Sequence, residues 1–274
     1  MKTISNFDEG LGTVYERFIL NRFFDYLMNT FSISEVLEVP LYGMTGLTGI
    51  NSVHFVHRGC KVTLVDSERK NVDSTFAIWN MLPYERERYK ILWHENLSEL
   101  PFRNGSFELV WNFAALWHVR DPDKLLCEMA RVSSNLILIV VPNRKQIGYL
   151  LRKNILDKEF FNRVDETWID IKKIISVLSA FDFSVIEQGV MDVPPWPDTC
   201  MPIGKILEKL KIRKNGSQKR GQGSWNWDIM SYYLGKDLTL KQRVERFNFI
   251  ERVSIPWQLK ALWAHHRYVI LSKN

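Results

Sequence analysis

The chain has 274 residues, of which 46% are hydrophobic and 25% are charged. This length and composition exclude a mostly disordered protein and one that needs disulfides or metals to hold a small core. The longest apolar run, residues 136–141, is far shorter than the roughly 20 residues of a transmembrane helix. Residues 1–6 lack a signal-peptide stretch and the three cysteines form no CxxC pair, so we expect a reduced, cytoplasmic protein without a transmembrane segment.

The charge is distributed unevenly along the chain. Residues 1–142 carry 14 Lys and Arg against 17 Asp and Glu, a net charge of −3. Residues 143–274 carry 23 against 14, a net charge of +9. This asymmetry predicts either an anionic partner for the second half, such as phosphate, nucleic acid or a membrane surface, or simply a solvated basic face.

Strand and helix patterns alternate over the first half. Amphipathic or buried runs predict helices over 13–29, 51–58, 68–81 and 121–132, and strands over 35–39, 61–66, 89–93, 107–113 and 136–141. Gly59 follows the second helix as a C-terminal cap, and Asp121-Pro122 begins the fourth. Such alternation predicts a parallel sheet with helices on both sides.

The second half is less regular. The pattern predicts a helix over 168–178 and strands over 183–190 and 266–271. Between the last two strands, residues 194–262 are rich in proline, tryptophan and basic residues, with seven bases and one acid over 205–220.

The first strand, turn and helix carry the clearest ligand signal. Gly43, Gly46 and Gly49 would let the backbone approach a ligand at the beginning of a helix. Asp66 ends the second strand 20 residues after Gly46, where a carboxylate can accept hydrogen bonds from both hydroxyls of a ribose. Together they predict a nucleoside-containing ligand. The alternative role for Asp66 is to cap the following helix.

Four segments identify a family resemblance. Residues 36–39, 62–66, 96–110 and 116–132, which include Leu100-Pro101-Phe102 and His118-Val119-Arg120-Asp121-Pro122, resemble class I S-adenosylmethionine-dependent methyltransferases, and most closely the small-molecule, methyltransferase-11-like branch. The resemblance implies a Rossmann-like α/β sheet, mostly parallel with an antiparallel last strand. It also implies S-adenosylmethionine as the cofactor.

The resemblance further implies a set of cofactor-binding residues. It places Glu38, Gly43 and Gly46 at the methionine end, Asp66 at the ribose, Asn96 and Leu97 at the adenine, and Asn112 and Phe113 beside the sulfonium. Pro40 stands where the family has its first glycine, so the path of this loop departs from the family pattern. His118 is the candidate catalytic base, with packing near the following helix as the alternative, and no metal is expected.

The predicted organisation is an N-terminal helical cap (1–32), a cofactor-binding domain (33–193 and 263–274), and an inserted substrate or lid region (194–262). We expect direct SN2 methyl transfer to a small or lipid-like acceptor, which can be anionic. The alternatives are RNA methylation through the basic insert and a nicotinamide-dependent oxidoreductase. Nucleic acid and a peripheral membrane contact are possible partners, and the sequence predicts no oligomeric state.

Overall fold

The computed structural model describes residues 7–41, 46–197 and 226–274. Their strands form one seven-stranded sheet in the order β3-β2-β1-β4-β5-β7-β6. The strands are β1 (Glu35–Glu38), β2 (Lys61–Asp66), β3 (Tyr89–Trp93), β4 (Phe107–Phe113), β5 (Ser133–Pro142), β6 (Phe183–Met191) and β7 (His266–Lys273). The first five strands pair in parallel, and β7 is antiparallel to both β5 and β6. The predicted fold class is therefore confirmed.

The helices before β6 cover both faces of the sheet. They are α1 (Gly10–Thr30), α2 (Val53–His57), α3 (Arg69–Trp79), α4 (Pro122–Val132), α5 (Ile147–Leu151), α6 (Lys158–Phe161) and α7 (Ile171–Ser179). One hydrophobic core packs α1, α2 and α3 on one face, and a second packs α4 and α7 on the other. Strands β4 and β5 are buried on both sides, as the near-continuous apolar run of a central parallel strand requires.

The region after β6 contains short helices that the sequence did not predict. They are α8 (Ile229–Tyr233), α9 (Thr239–Glu245), α10 (Phe249–Arg252) and α11 (Trp257–Lys260). Each is at most two turns long, so its apolar residues do not form a readable helical period. The basic stretch at 205–220 lies outside the described residues, and the boundaries of the inserted region stay a prediction.

The first helix is fastened to the loop after β1. The Glu9 carboxylate accepts a hydrogen bond from the Leu47 backbone N–H at 2.6 Å and pairs with Arg17 at 3.1 Å. Arg17 also donates to the Leu47 carbonyl oxygen and to the side chain of Asn51. Because these contacts join α1 to the loop that begins the cofactor motif, α1 lies over the carboxyl edge of the sheet.

Candidate active site

A cavity of about 630 Å³ opens at the carboxyl ends of β1 to β4. Four successive loops form its wall: Pro40 and Leu41 after β1; Asp66, Ser67, Glu68 and Asn71 after β2; Glu95, Asn96, Leu97 and Ser98 after β3; and Ala115, His118, Val119, Arg120 and Asp121 after β4. Ligands of open α/β sheets bind at this edge because the loops of neighbouring parallel strands converge there.

Asp66 lies in the wall of the cavity but is only 2% exposed. One carboxylate oxygen accepts from the backbone N–H of Glu68 at 2.7 Å. The other accepts from the Leu41 N–H at 3.0 Å and from the Asn71 amide at 3.2 Å. Burial raises the pKa of Asp66, and these three hydrogen bonds oppose that rise. A carboxylate has about four acceptor sites, so Asp66 keeps capacity for about one further donor.

The loop after β3 brings Asn96 and Leu97 to the same cavity. The Asn96 side chain accepts from the Ser98 N–H at 3.1 Å and its carbonyl oxygen accepts from the Glu99 N–H, so Asn96 shapes a tight turn. Leu97 is 8% exposed and packs into the core below. Both residues therefore line the cavity, and their role toward an adenine stays a prediction.

Glu38 and Asn112 lie behind the wall of the cavity, fully buried. Glu38 accepts a 2.6 Å hydrogen bond from Ser52 Oγ, which in turn accepts one from the Trp111 indole. Asn112 donates to the Val39 carbonyl oxygen at 3.0 Å and accepts from the Ala115 N–H at 3.4 Å. Asn112 thus ties the end of β1 to the turn after β4, and both side chains support the loops that form the wall.

Two further predicted cofactor residues, Gly46 and Phe113, are not among the residues that line the cavity. Gly46 has a left-handed backbone (φ +68°), and the space beside its Cα is filled by Glu9, Thr13 and Arg17 of the N-terminal segment. Phe113 is fully buried, with its ring 4.8 Å from that of His266. Gly43 lies outside the described residues.

His118 lines the cavity, and its ring contacts the rings of Trp117 and Phe160. Burial lowers its pKa, which favours the neutral imidazole near pH 7. Among the hydrogen bonds of the described chain, none orients this ring.

Sequence reasoning missed an exposed carboxylate of the cavity. Glu68 is exposed and lines the wall beside the buried Asp66. Among the residues that the structure describes, the wall holds four acidic side chains, Asp66, Glu68, Glu95 and Asp121, and the guanidinium of Arg120. The signal that could have found Glu68 is its position two residues after Asp66, where a short turn returns the side chain to the same edge.

Comparisons with known proteins find a matching family. Residues 44–135 match the Methyltransf_11 family, described as a methyltransferase domain. A search of curated proteins found no match. Among the described residues, no helix is long and apolar enough to cross a membrane.

Solved structures with the same fold include two of different stated activity. Magnesium protoporphyrin IX methyltransferase from Synechocystis PCC 6803, solved with bound SAH, is 10% identical with a TM-score of 0.53, over 96% of this chain and 86% of that one. The [4+2]-cyclase SpnF is 11% identical with a TM-score of 0.51, over 92% and 80%. At these identities the likeness establishes the fold alone. The family match is to residues 44–135, so this segment is similar to a methyltransferase domain, and the solved structures show the fold of the chain.

Proposed function

We propose that the chain binds S-adenosylmethionine in the cavity at the carboxyl ends of β1 to β4 and transfers its methyl group to a small or lipid-like acceptor, which can be anionic. The observation that carries this proposal is the cavity itself. Four consecutive strand-end loops form it, and it includes Asp66, Asn96, Leu97 and His118.

The donors and acceptors of the wall fit a nucleoside with a cationic group. The carboxylates of Asp66 and Glu68 offer acceptors for ribose hydroxyls, and the loop at Asn96 and Leu97 offers backbone and amide groups for the edge of a base. In the described part of the wall, four acids and one arginine favour a positively charged ligand. When bound, the cofactor supplies a methyl group on a positively charged sulfur.

Supporting residues hold this wall in place. We assign Glu38 and Asn112 to the support of the loops after β1 and β4, since both are fully buried in hydrogen bonds behind the wall. Gly46 and Phe113 do not line the cavity. Any effect of these residues on the methionine end or the sulfonium would therefore be exerted through the neighbouring loops. His118 is the candidate base on the cofactor side, where its burial keeps the imidazole able to accept a proton.

The sheet order disfavours the oxidoreductase alternative. Classic dinucleotide-binding sheets have the order 3-2-1-4-5-6. Here β7 is inserted, antiparallel, between β5 and β6. The RNA alternative depends on the basic stretch at 205–220, which lies outside the described residues, and steeply salt-dependent RNA binding would favour it.

Isothermal titration calorimetry tests the proposal with S-adenosylmethionine, S-adenosylhomocysteine and NADH as separate ligands. We expect saturable binding of the first two and none of NADH. Binding of NADH without either adenosyl compound would overturn the proposal. The matched variants Glu68→Gln and Glu85→Gln, the second outside the cavity wall, separate loss of a wall carboxylate from a general change of charge.

A further inference from the structure

Two stretches at the carboxyl edge of the sheet carry exposed aliphatic side chains. One is residues 144–156, which follow β5 and include α5, and the other is residues 252–262, which include α11 and precede β7. Six of their aliphatic side chains are between 42% and 59% exposed, and we call this set the aliphatic patch. Its members are Ile147, Leu150, Ile155, Ile255, Leu259 and Leu262.

Asn143 joins the two stretches. This buried residue lies four positions before Ile147, and its side-chain amide donates to the carbonyl oxygens of Ala261 and Ala264 at 2.6 and 2.8 Å. Because α11 ends at Lys260, these two hydrogen bonds hold the end of α11 beside the start of α5. The aliphatic patch is therefore built from two parts of the chain that are distant in sequence and adjacent in the fold.

Both stretches are also basic. Residues 144–156 contain four bases and residues 252–262 contain two, and neither stretch contains an acid. Four of these six bases are exposed near the aliphatic side chains: Arg144, Lys145, Lys153 and Arg252. The surface therefore combines apolar area with positive charge.

Two of the exposed bases form ion pairs with acids of a neighbouring segment. Arg144 pairs with Asp170, and Lys153 pairs with Glu166. Exposed pairs of this kind are weak in water, because each charge is already well solvated. A phosphate group that approaches this surface can therefore take the place of either carboxylate.

Aliphatic side chains beside exposed bases fit the surface of an anionic bilayer. Aliphatic groups enter the boundary of the acyl chains, while Lys and Arg keep their charged ends at the level of the lipid phosphates. A second copy of the chain fits less well, because a symmetric interface would bring these bases against each other. Nucleic acid also fits less well, since its phosphate backbone offers aliphatic side chains no apolar partner.

The aliphatic patch lies beside the cofactor cavity. Tyr149, between Ile147 and Leu150 on α5, is buried, and its ring lies nearly parallel to that of Trp117 with 6.5 Å between the centroids. Trp117 directly precedes His118, which lines the cavity. The inner side of α5 thus packs on the turn after β4 that forms one wall of the cavity, and its outer side is exposed.

We infer that the aliphatic patch docks the chain on an anionic lipid bilayer, with the exposed bases against the lipid phosphates. The carboxyl edge of the sheet, and the cavity with it, then faces the lipid. This orientation gives an amphiphilic acceptor a path from the bilayer to the cavity, a consequence that rests on the proposed function. The docking itself requires neither the cofactor nor methyl transfer.

Co-flotation of the full chain with lipid vesicles tests the docking. The vesicles are phosphatidylcholine alone or phosphatidylcholine with about 30% phosphatidylserine. We expect the wild type to float with the anionic vesicles and much less with the neutral ones. The variant Ile147→Ser/Leu259→Ser should bind the anionic vesicles about tenfold more weakly or worse, because it removes most of two inserted aliphatic side chains.

Two further variants separate the contributions. Phe76→Ser/Met81→Ser changes two exposed apolar side chains on α3 and just after it, at the other end of the sheet, and should bind like the wild type. Lys145→Gln/Arg252→Gln should weaken binding to the anionic vesicles by about tenfold and leave binding to the neutral ones unchanged.

The outcomes are distinct. Weaker vesicle binding of Ile147→Ser/Leu259→Ser, with normal binding of the α3 control, supports the inference. Equal binding of all variants, or no binding by the wild type, overturns it. Self-association in sedimentation that Ile147→Ser/Leu259→Ser abolishes, without vesicle binding, overturns it in favour of a second copy of the chain.

Calorimetry with S-adenosylmethionine keeps this inference apart from the proposed function. All three variants should bind the cofactor like the wild type, since the substituted residues are outside the described wall of the cavity. Cofactor binding without vesicle binding would overturn the docking and leave the proposed function standing. Vesicle binding without cofactor binding would overturn the proposed function and leave the docking standing.

Discussion

The Asp66 carboxylate accepts a hydrogen bond from the Leu41 backbone N–H at 3.0 Å and so joins the end of β2 to the loop after β1. Leu41 is 3% exposed, so its N–H has no access to bulk water. Asp66 therefore has two functions in one side chain, support of the loop and a share of the cavity wall. Glu68, in contrast, contributes an exposed carboxylate to the wall.

Substitutions of Asp66 and Glu68 should have different effects on stability and on affinity. We expect Asp66→Ala to lower both the free energy of unfolding, by about 2 kcal/mol, and the affinity for S-adenosylmethionine, because it leaves a buried N–H without its acceptor. Glu68→Gln should weaken binding by about tenfold with stability unchanged. Urea unfolding and calorimetry on both variants measure this. Equal loss of stability in the two variants would contradict the division of roles.

We expect Asn112 to contribute to the stability of the fold rather than directly to the chemistry. Asn112→Ala leaves the Val39 carbonyl and the Ala115 N–H without their side-chain partner, and we expect a loss of about 2 kcal/mol in the free energy of unfolding. The exposed Asn162→Ala is the matched control and should change stability by less than about 0.5 kcal/mol. Thermal unfolding with and without S-adenosylhomocysteine measures the effect. An Asn112→Ala protein as stable as the control would refute the supporting role.

Substitutions at two glycines with left-handed backbones test the attachment of α1 to the loop after β1. In Gly46→Ala the new methyl group would overlap Glu9 and Thr13, whereas at Gly59 (φ +93°) there is open space. We expect Gly59→Ala to cost about 1 kcal/mol from backbone conformation alone and Gly46→Ala about 3 kcal/mol or more. Hydrogen exchange of the α1 amides provides the second measurement, and only Gly46→Ala should speed it.

Glu251 should make the stability fall as pH rises through the mildly acidic range. Burial raises the pKa of its carboxyl group from 4.5 to about 7, so between these values the folded state holds a proton that the unfolded state has lost. The contribution of Glu251 is therefore greatest below about pH 4.5 and is lost progressively up to about pH 7, by roughly 3 kcal/mol.

The variant Glu251→Gln provides the comparison. Its amide oxygen can still accept from the Val193 N–H, but it cannot ionise. Urea unfolding at pH 5.0 and 7.5 should give a smaller change for Glu251→Gln than for the wild type. The same decrease in both proteins would assign the pH dependence to other groups. Asp192 acts in the opposite sense, because its pKa of about 2 means that its contribution is lost only as pH falls below about 4.

Much of the fold could be predicted from local patterns. The bounds of β2, β3 and β4 agree with the sequence prediction because each strand is a short apolar run between polar turns. One cavity is lined by four of the predicted residues, because each lies at or after the end of a strand of a parallel sheet. They are Asp66, Asn96, Leu97 and His118. Their binding roles stay predictions.

Long-range contacts could not be predicted in this way. The direction in which Glu38 and Asn112 point depends on how β1 and β4 pack against Ser52 and Val39. The cluster of Glu16, Asp192 and His266 joins positions up to 250 residues apart, and no spacing in the chain marks it.

The position of β7 between β5 and β6 has a consequence for folding order. β5 is complete at Pro142, but its second partner consists of residues 266–273, so one long apolar edge stays unpaired until those residues have been synthesised. Pairing of segments so distant in the chain is slow, because a large loop must close first. An unpaired, apolar strand edge is also a template for aggregation. Recombinant yield should therefore be more sensitive to substitutions in β7 than to equal losses of stability in β3.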